Sequence, residues 1–192
     1  MVANPQFQYM SPQEYLEWEK TQELRYEYID GEVFVRMGKT IIHNRICLNF
    51  YIELNDFLID KGCEIYLCDV KLKVTSKSYH YPDVVVTCDD RDRESIDMVR
   101  YPCLIVEVLS PSTAAFDRGK KFTRYRQSST LQEYVLIESD EIAVECFRRN
   151  DQGLWVLHTY GEGDTLILES VGISIPVEKL YRRVRFDVGE KN

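Results

Sequence analysis

The stretch YPDVVVTCDD, Tyr81 to Asp90, sets an aspartate directly before three valines, and YPCLIVEVLS, Tyr101 to Ser110, sets a glutamate inside a second apolar run. Both runs are short and rich in β-branched residues, the pattern of strands buried on both faces. Side chains alternate along a strand, so Asp83, Val85 and Thr87 share one face, and Ile105, Glu107 and Leu109 share one. Glu107 then has apolar neighbours on both sides, where an unpaired carboxylate is costly or gives up its charge. A cation, a basic side chain such as Arg25 or Arg100, or a water-filled cleft must compensate it. If the two strands are neighbours in suitable register, Asp83 and Glu107 converge at one end of a sheet. Two anions held close raise each other's pKa unless a hard divalent cation lies between them, for which Mg²⁺ is the usual choice. Such a site polarises a phosphoryl oxygen and acidifies a bound water. The plain alternative for Asp83 is ordinary Pro-Asp turn chemistry.

Outward from these strands, residues 11–22 (SPQEYLEWEKTQ) read as a helix with Ser11 as cap and Glu14 closing a capping box. Residues 24–37 (LRYEYIDGEVFVRM) read as a hairpin turning at Asp30-Gly31. From residue 40 to 61 apolar residues recur at helical steps, ending before Gly62. Residues 63–76 (CEIYLCDVKLKVTS) read as one strand, and 89–97 (DDRDRESID) as a solvated charged loop. A second helix is expected from about 117 to 127, capped by Asp117, with Tyr125 packing inward. The segments EYVLIE, IAVECFRR, LWVLHTYG and DTLILES follow as strands, before a short element around PVEKLY. The fold class expected is α/β: a central mixed sheet flanked by helices, with an extra N-terminal helix and hairpin and C-terminal antiparallel strands, in a single domain over residues 1–192.

At about 100° per residue, Lys121 lies about 40° from Tyr125 and borders the core, whereas Lys120 points outward. A lysine at that border either reaches over the sheet end or snorkels into water. The surrounding run DRGKKFTRYR is the densest basic stretch in a chain of net charge −8, so any attraction for nucleic acid must be local, and its bland reading is a solvated helix face. No stretch approaches the ~18 apolar residues of a membrane span, and a cytoplasmic protein is expected. The six cysteines, scattered through apolar contexts, are expected as reduced core thiols. Cys63 and Cys68 lack a second pair at zinc-site spacing.

With these positions in view the sequence resembles the PD-(D/E)XK nuclease superfamily, and more closely a bacterial family of restriction-endonuclease-like proteins long catalogued as a domain of unknown function. The resemblance rests on YEYIDGEVFV from Tyr26, on His43, on YPDVVV from Tyr81, on LIVEVLSPST from Leu104, and on DRGKKFTRYR followed by EYVLIE. It covers roughly residues 11–149. It implies a restriction-endonuclease-like core and a metal-dependent endonuclease, with Asp83 and Glu107 as ligands of Mg²⁺ (or Mn²⁺) and the Val108 backbone carbonyl as a further ligand. Lys121 would orient or help deprotonate the attacking water. The superfamily places its lysine two residues after the glutamate, where this chain has Leu109, and the related family supplies it from the following helix. Glu27 and His43 are accessory candidates, set against an exposed hairpin glutamate and a histidine bonded to a carbonyl. His80 is a weaker candidate. Arg118, Lys120 and Arg124 would meet the phosphate backbone, DNA is the expected substrate, and a homodimer is the expected assembly. Two readings compete: a catalytically inactive nuclease-fold module that binds nucleic acid or protein, and a glycoside hydrolase using Asp83 and Glu107, which lacks aromatic platforms near them.

Overall fold

The computed structural model describes residues 9–36 and 39–186; Met37, expected to close the hairpin strand, lies outside them. The strands are β1 (Tyr26–Ile29), β2 (Glu32–Val35), β3 (Glu64–Leu67), β4 (Lys71–Thr75), β5 (Ser78–His80), β6 (Val84–Thr87), β7 (Met98–Val99), β8 (Leu104–Val108), β9 (Glu133–Ile137), β10 (Val144–Arg149), β11 (Trp155–Tyr160), β12 (Thr165–Leu168) and β13 (Ile173–Pro176). The helices are α1 (Pro12–Glu19), α2 (Ile41–Asp60), a short α3 (Asp90–Arg93), α4 over residues 114–125, and α5 (Val177–Leu180).

The valine run and the glutamate-bearing run are adjacent. One sheet has the order β11-β10-β9-β8-β6-β3, with β6 antiparallel and β9 parallel to β8. The parallel step is made through α4, since parallel neighbours need a crossover. On one face, Ile46, Phe50, Leu54 and Leu58 of α2 pack on Val84, Val86, Leu104, Val106 and Val135. On the other, Val85, Ile105 and Leu109 meet Tyr125 and Tyr134, together with Leu72 and Val99 from a second sheet of order β2-β1-β5-β4-β7. The mixed sheet flanked by helices is as the sequence indicates. The turn joining β1 to β2 has Asp30 and Gly31 at φ 49° and 97°, the doubly left-handed turn that Asp-Gly favours. Both halves of the Ser11/Glu14 capping box form.

Four local expectations are corrected or qualified. Residues 63–76 are two strands in different sheets, because the chain breaks at Cys68, which adopts φ 54°. The charged loop is mostly exposed, as expected, but it is also anchored: it contains α3, and buried Asp92 accepts hydrogen bonds from Thr87 Oγ1 and from the Arg100 and Tyr101 amides. The second helix starts at Ala114 and includes a π-helical turn, Asp117–Lys121, so Asp117 lies inside the helical run rather than capping it. Finally, Cys63 and Cys88 form a disulfide. The β3–β6 register pairs Glu64 with Thr87, so the next residues outward, Cys63 and Cys88, face each other with Cα atoms 4.2 Å apart. Sequence spacing could not reveal that register. Cys47, Cys68, Cys103 and Cys146 remain free. Among the described residues no helix is long and apolar enough to cross a membrane.

Thiol titration of the denatured, unreduced chain should therefore count four free thiols, rising to six after reduction. Closing the 25-residue separation, the bridge should contribute roughly 2–4 kcal/mol, measurable as the loss of stability in Cys88→Ser.

Candidate active site

The pairs Val84↔Val106 and Val85↔Ile105 continue by one step to Asp83 opposite Glu107. Directly opposed residues of an antiparallel pair point to the same face, so the register itself brings the two carboxylates together at one end of the sheet. Both are buried, 1% and 2% exposed. They line a pocket of about 270 Å³ together with Glu27, Asp117, Lys121, Arg36, Lys39 and His43.

Lys121 meets three of these carboxylates. The π turn sets its ammonium 2.7 Å from Glu107 Oε1, 3.2 Å from Glu27 Oε1 and 3.6 Å from Asp117 Oδ1. The angular argument holds in outcome: Lys121 is buried while Lys120 points out and pairs with Glu32 at 2.9 Å. Tyr125 packs as expected and also donates its hydroxyl to Glu107 Oε1 at 2.8 Å. Neither Arg25 nor Arg100 compensates Glu107; Lys121 does. Glu107 Oε2 has no hydrogen-bond partner among the described residues.

Glu27 is buried, not an exposed hairpin residue. It reaches the site because β1 pairs with β5, which leads directly into Tyr81 and Asp83. Its carboxylate takes the Tyr81 amide at 3.3 Å and contacts His80 Nδ1 at 3.1 Å, and His80 Nε2 is 2.8 Å from Ser78 Oγ. A His80 tautomer protonated at Nδ1 satisfies both contacts, donating to Glu27 and accepting from Ser78.

Asp83 has its own partners. Arg36 Nη2 lies 3.0 Å from Oδ1, His43 Nε2 2.8 Å from Oδ2, and Lys39 Nζ 3.8 Å from Oδ2. The Val108 N–H donates to Oδ2 at 3.0 Å, so the residue expected to offer its carbonyl also offers its amide. His43 bonds the aspartate instead of a carbonyl. Arg36 and Lys39 follow the hairpin strand and were not singled out from the sequence, where only their place after the alternating EVFV hints at them. The three cations read as phosphate contacts lie outside the pocket lining, each on a carboxylate of the chain: Arg118 on Glu138 and Glu145, Lys120 on Glu32, and Arg124 on Asp30.

The electrostatics are divided. Burial, the strongest influence on Glu107, acts with Asp83, Asp117 and Glu27 against the Lys121 ammonium and pushes its carboxyl up to about 8. Burial also raises Asp117. Glu27 moves the other way, to about 2, because Lys121 and His80 outweigh its burial, and Asp83 is lowered by His43, Lys39 and Lys121 despite burial. Burial disfavours the Lys121 ammonium, yet the surrounding carboxylates hold its pKa above the ordinary lysine range. Burial also keeps His80 below the usual imidazole value. The site thus buries more carboxyl groups than cations to pair with them, and its donor oxygens are of the hard kind that a divalent cation such as Mg²⁺ or Mn²⁺ takes.

The Uma2 family, described as "Putative restriction endonuclease", matches residues 12–178. The chain belongs to this family. Two similar relatives are uncharacterized proteins of Synechocystis sp. (strain ATCC 27184 / PCC 6803 / Kazusa). The first, slr1290, is 41% identical over 181 residues, 94% of this chain and 95% of that protein. The second, sll1609, is 37% identical over 147 residues, 75% and 83% of the two chains. The fold matches the crystal structure of "a putative nuclease belonging to DUF820" from Anabaena variabilis ATCC 29413, with a TM-score of 0.77, 17% identity, and coverage of 92% of this chain and 99% of that one. This Uma2 chain is therefore restriction-endonuclease-like in family, and it shares the fold of the Anabaena protein.

Because burial pushes the Glu107 carboxyl of the folded chain up to about 8, the unfolded chain ionises first as pH rises, and the contribution of this group to stability falls as pH rises towards that value. Glu107→Gln, which mimics the neutral form, should gain in thermal stability relative to wild type from pH 4.5 to pH 8 in the presence of a chelator. A difference that stays flat or shrinks across that interval would contradict the charge balance given above.

Proposed function

We propose that this chain is a divalent-metal-dependent endonuclease that hydrolyses phosphodiester bonds, with DNA as substrate. The observation that carries the reading is the register pairing of Asp83 with Glu107 in one pocket beside the Lys121 ammonium. The residues fit a hard cation. Glu107 Oε2 is unengaged among the described residues, the lining is rich in carboxylate oxygen, and an ammonium already stands where positive charge is required. Asp83 and Glu107 would hold Mg²⁺ or Mn²⁺, with the Val108 carbonyl as a further ligand. When bound, the ion supplies Lewis acidity to a phosphate oxygen and lowers the pKa of water.

The chain's own residues carry the rest. An ammonium held above the lysine range stays charged, so Lys121 orients the nucleophile and stabilises charge developing on the phosphate, and it does not serve as the base. Glu27 fixes that ammonium, and His80 and the Tyr81 amide fix Glu27. Arg36 and Lys39, at the pocket wall, take the nucleic-acid backbone, supplying local positive charge in an acidic chain. For the homodimer, α2 offers Ile41, Leu48, Ile52 and Ile59, exposed and spaced by seven, four and seven residues, a seam that a second copy could cover. A second reading, a binding module without catalysis, has one observation in its favour: both Asp83 oxygens already have protein partners.

The test is cleavage of supercoiled and linear DNA with Mg²⁺ or Mn²⁺. Wild type should nick DNA only with metal, and Asp83→Asn, Glu107→Gln and Lys121→Met should each lose at least about 10²-fold in rate. The rate should fall steeply with added salt, as phosphate contacts release counterions. Metal-independent nicking, or nicking that survives Asp83→Asn, would defeat the proposal; metal affinity without cleavage would favour the binding module.

A further inference from the structure

On the α2 side of Asp83 the ligand chemistry changes. His43 and Cys47 are one helical step of four residues apart, so both project from the same face of α2. His43 Nε2 is 2.8 Å from Asp83 Oδ2, and His43 Nδ1 is 3.7 Å from Cys47 Sγ. One ligand atom from each of the three residues lies within 4.8 Å of the other two, and all three residues are buried.

We propose that His43, Cys47 and Asp83 form a second cation site, selective for a borderline thiophilic metal such as Zn²⁺ or Co²⁺ and sharing Asp83 with the all-oxygen site. A sulfur, an imidazole nitrogen and a carboxylate oxygen are the donors such metals prefer, whereas Mg²⁺ does not take sulfur. Around a tetrahedral ion with metal–sulfur and metal–nitrogen bonds of about 2.3 and 2.0 Å, ligand atoms stand roughly 3.3–3.7 Å apart. His43 can offer an ion only one of its two ring nitrogens, so the measure that counts is the 4.8 Å within which one atom of each residue lies, and the three side chains must draw together from there to close on an ion.

The helix that carries two of the ligands is held in place. Thr40 caps α2 and takes the His43 amide at 3.2 Å, fixing the first turn, and Cys47 packs at 1% exposure against the core. His43 and Asp83 line the pocket, which provides the way in, and water from that side can complete the coordination. Binding requires the Cys47 thiol to release its proton to solvent as the metal–thiolate bond forms. It also requires Lys39, 3.8 Å from Asp83 Oδ2, to withdraw before the incoming charge. Because Asp83 is shared, an ion in this trio withdraws it from the oxygen site. Zn²⁺ would then antagonise Mn²⁺ binding, a consequence that rests on the metal assignment proposed above, whereas the existence of the trio site does not.

The test uses the full chain and metal alone. Titrating wild type with Co²⁺ should develop a thiolate-to-metal charge-transfer absorption that saturates at one ion per chain and is abolished by excess Zn²⁺. Cys47→Ser should lose that band and bind Zn²⁺ more than about tenfold more weakly by calorimetry, with circular dichroism confirming its fold. Glu107→Gln should keep the band while losing affinity for Mn²⁺, which separates this site from the oxygen site. The inference is overturned if wild type develops no charge-transfer band, a result that needs no variant, or if Cys47→Ser gives the same band, which would place the thiolate at another cysteine.

Discussion

The Lys121 ammonium is the constraint around which the site is built. It sits within salt-bridge distance of carboxylates from three separate parts of the chain: Glu27 of the second sheet, Glu107 of the first, and Asp117 of its own helix. Without it, three carboxylates would share a space nearly sealed from water, and an uncompensated buried charge is among the most costly single defects a fold can carry. The same charge joins the two sheets, because Glu27 and Glu107 have no other common partner among the described residues. The π-helical turn that delivers it has a local meaning too. Such turns are frequent at functional sites, and Asp117 and Lys121, at the two ends of this one, are both buried.

The compensation is incomplete, and that incompleteness distinguishes a site from ordinary buried ion pairing. Four buried carboxylates (Asp83, Glu107, Glu27 and Asp117) face the cations of Lys121, Arg36 and Lys39. Glu107 absorbs the surplus by holding its proton to a higher pH than an ordinary carboxyl does. Glu133, on the neighbouring strand, is a useful contrast. It is equally buried, but Arg148, the amides of Glu169 and Ser170 and the Ser170 hydroxyl satisfy it completely. The first carboxylate faces a pocket, and the second closes a structural junction.

Asp83 lies where two kinds of ligand meet. Towards β8 and the π turn its surroundings are oxygen and ammonium; towards α2 they are imidazole and thiol. This follows from its position at the sheet end, just before β6, where both layers covering the sheet can reach one side chain. A residue within a strand would be accessible from one face only.

Much of this architecture was legible in the chain itself. Alternation and β-branching marked the central strands, helical periodicity marked α2, and the Asp30-Gly31 pair marked the first hairpin, because each depends on local backbone preference or on the period of one element. Asp83, Glu107 and Lys121 could be singled out on the same basis: a carboxylate in an apolar strand and a lysine at the edge of an apolar stripe are visible in one dimension. Other features depended on tertiary structure alone. That Asp83 stands opposite Glu107 and Cys63 opposite Cys88 is set by strand register, which a single strand does not encode. That Glu27 is buried against Lys121, and that Arg36, Lys39 and His43 surround Asp83, depends on how two sheets and a helix pack, contacts between residues as many as 94 positions apart in sequence. The sequence by itself determined which groups need a partner; only the assembled fold decided which partner each one found, because charge compensation acts through space and not along the chain.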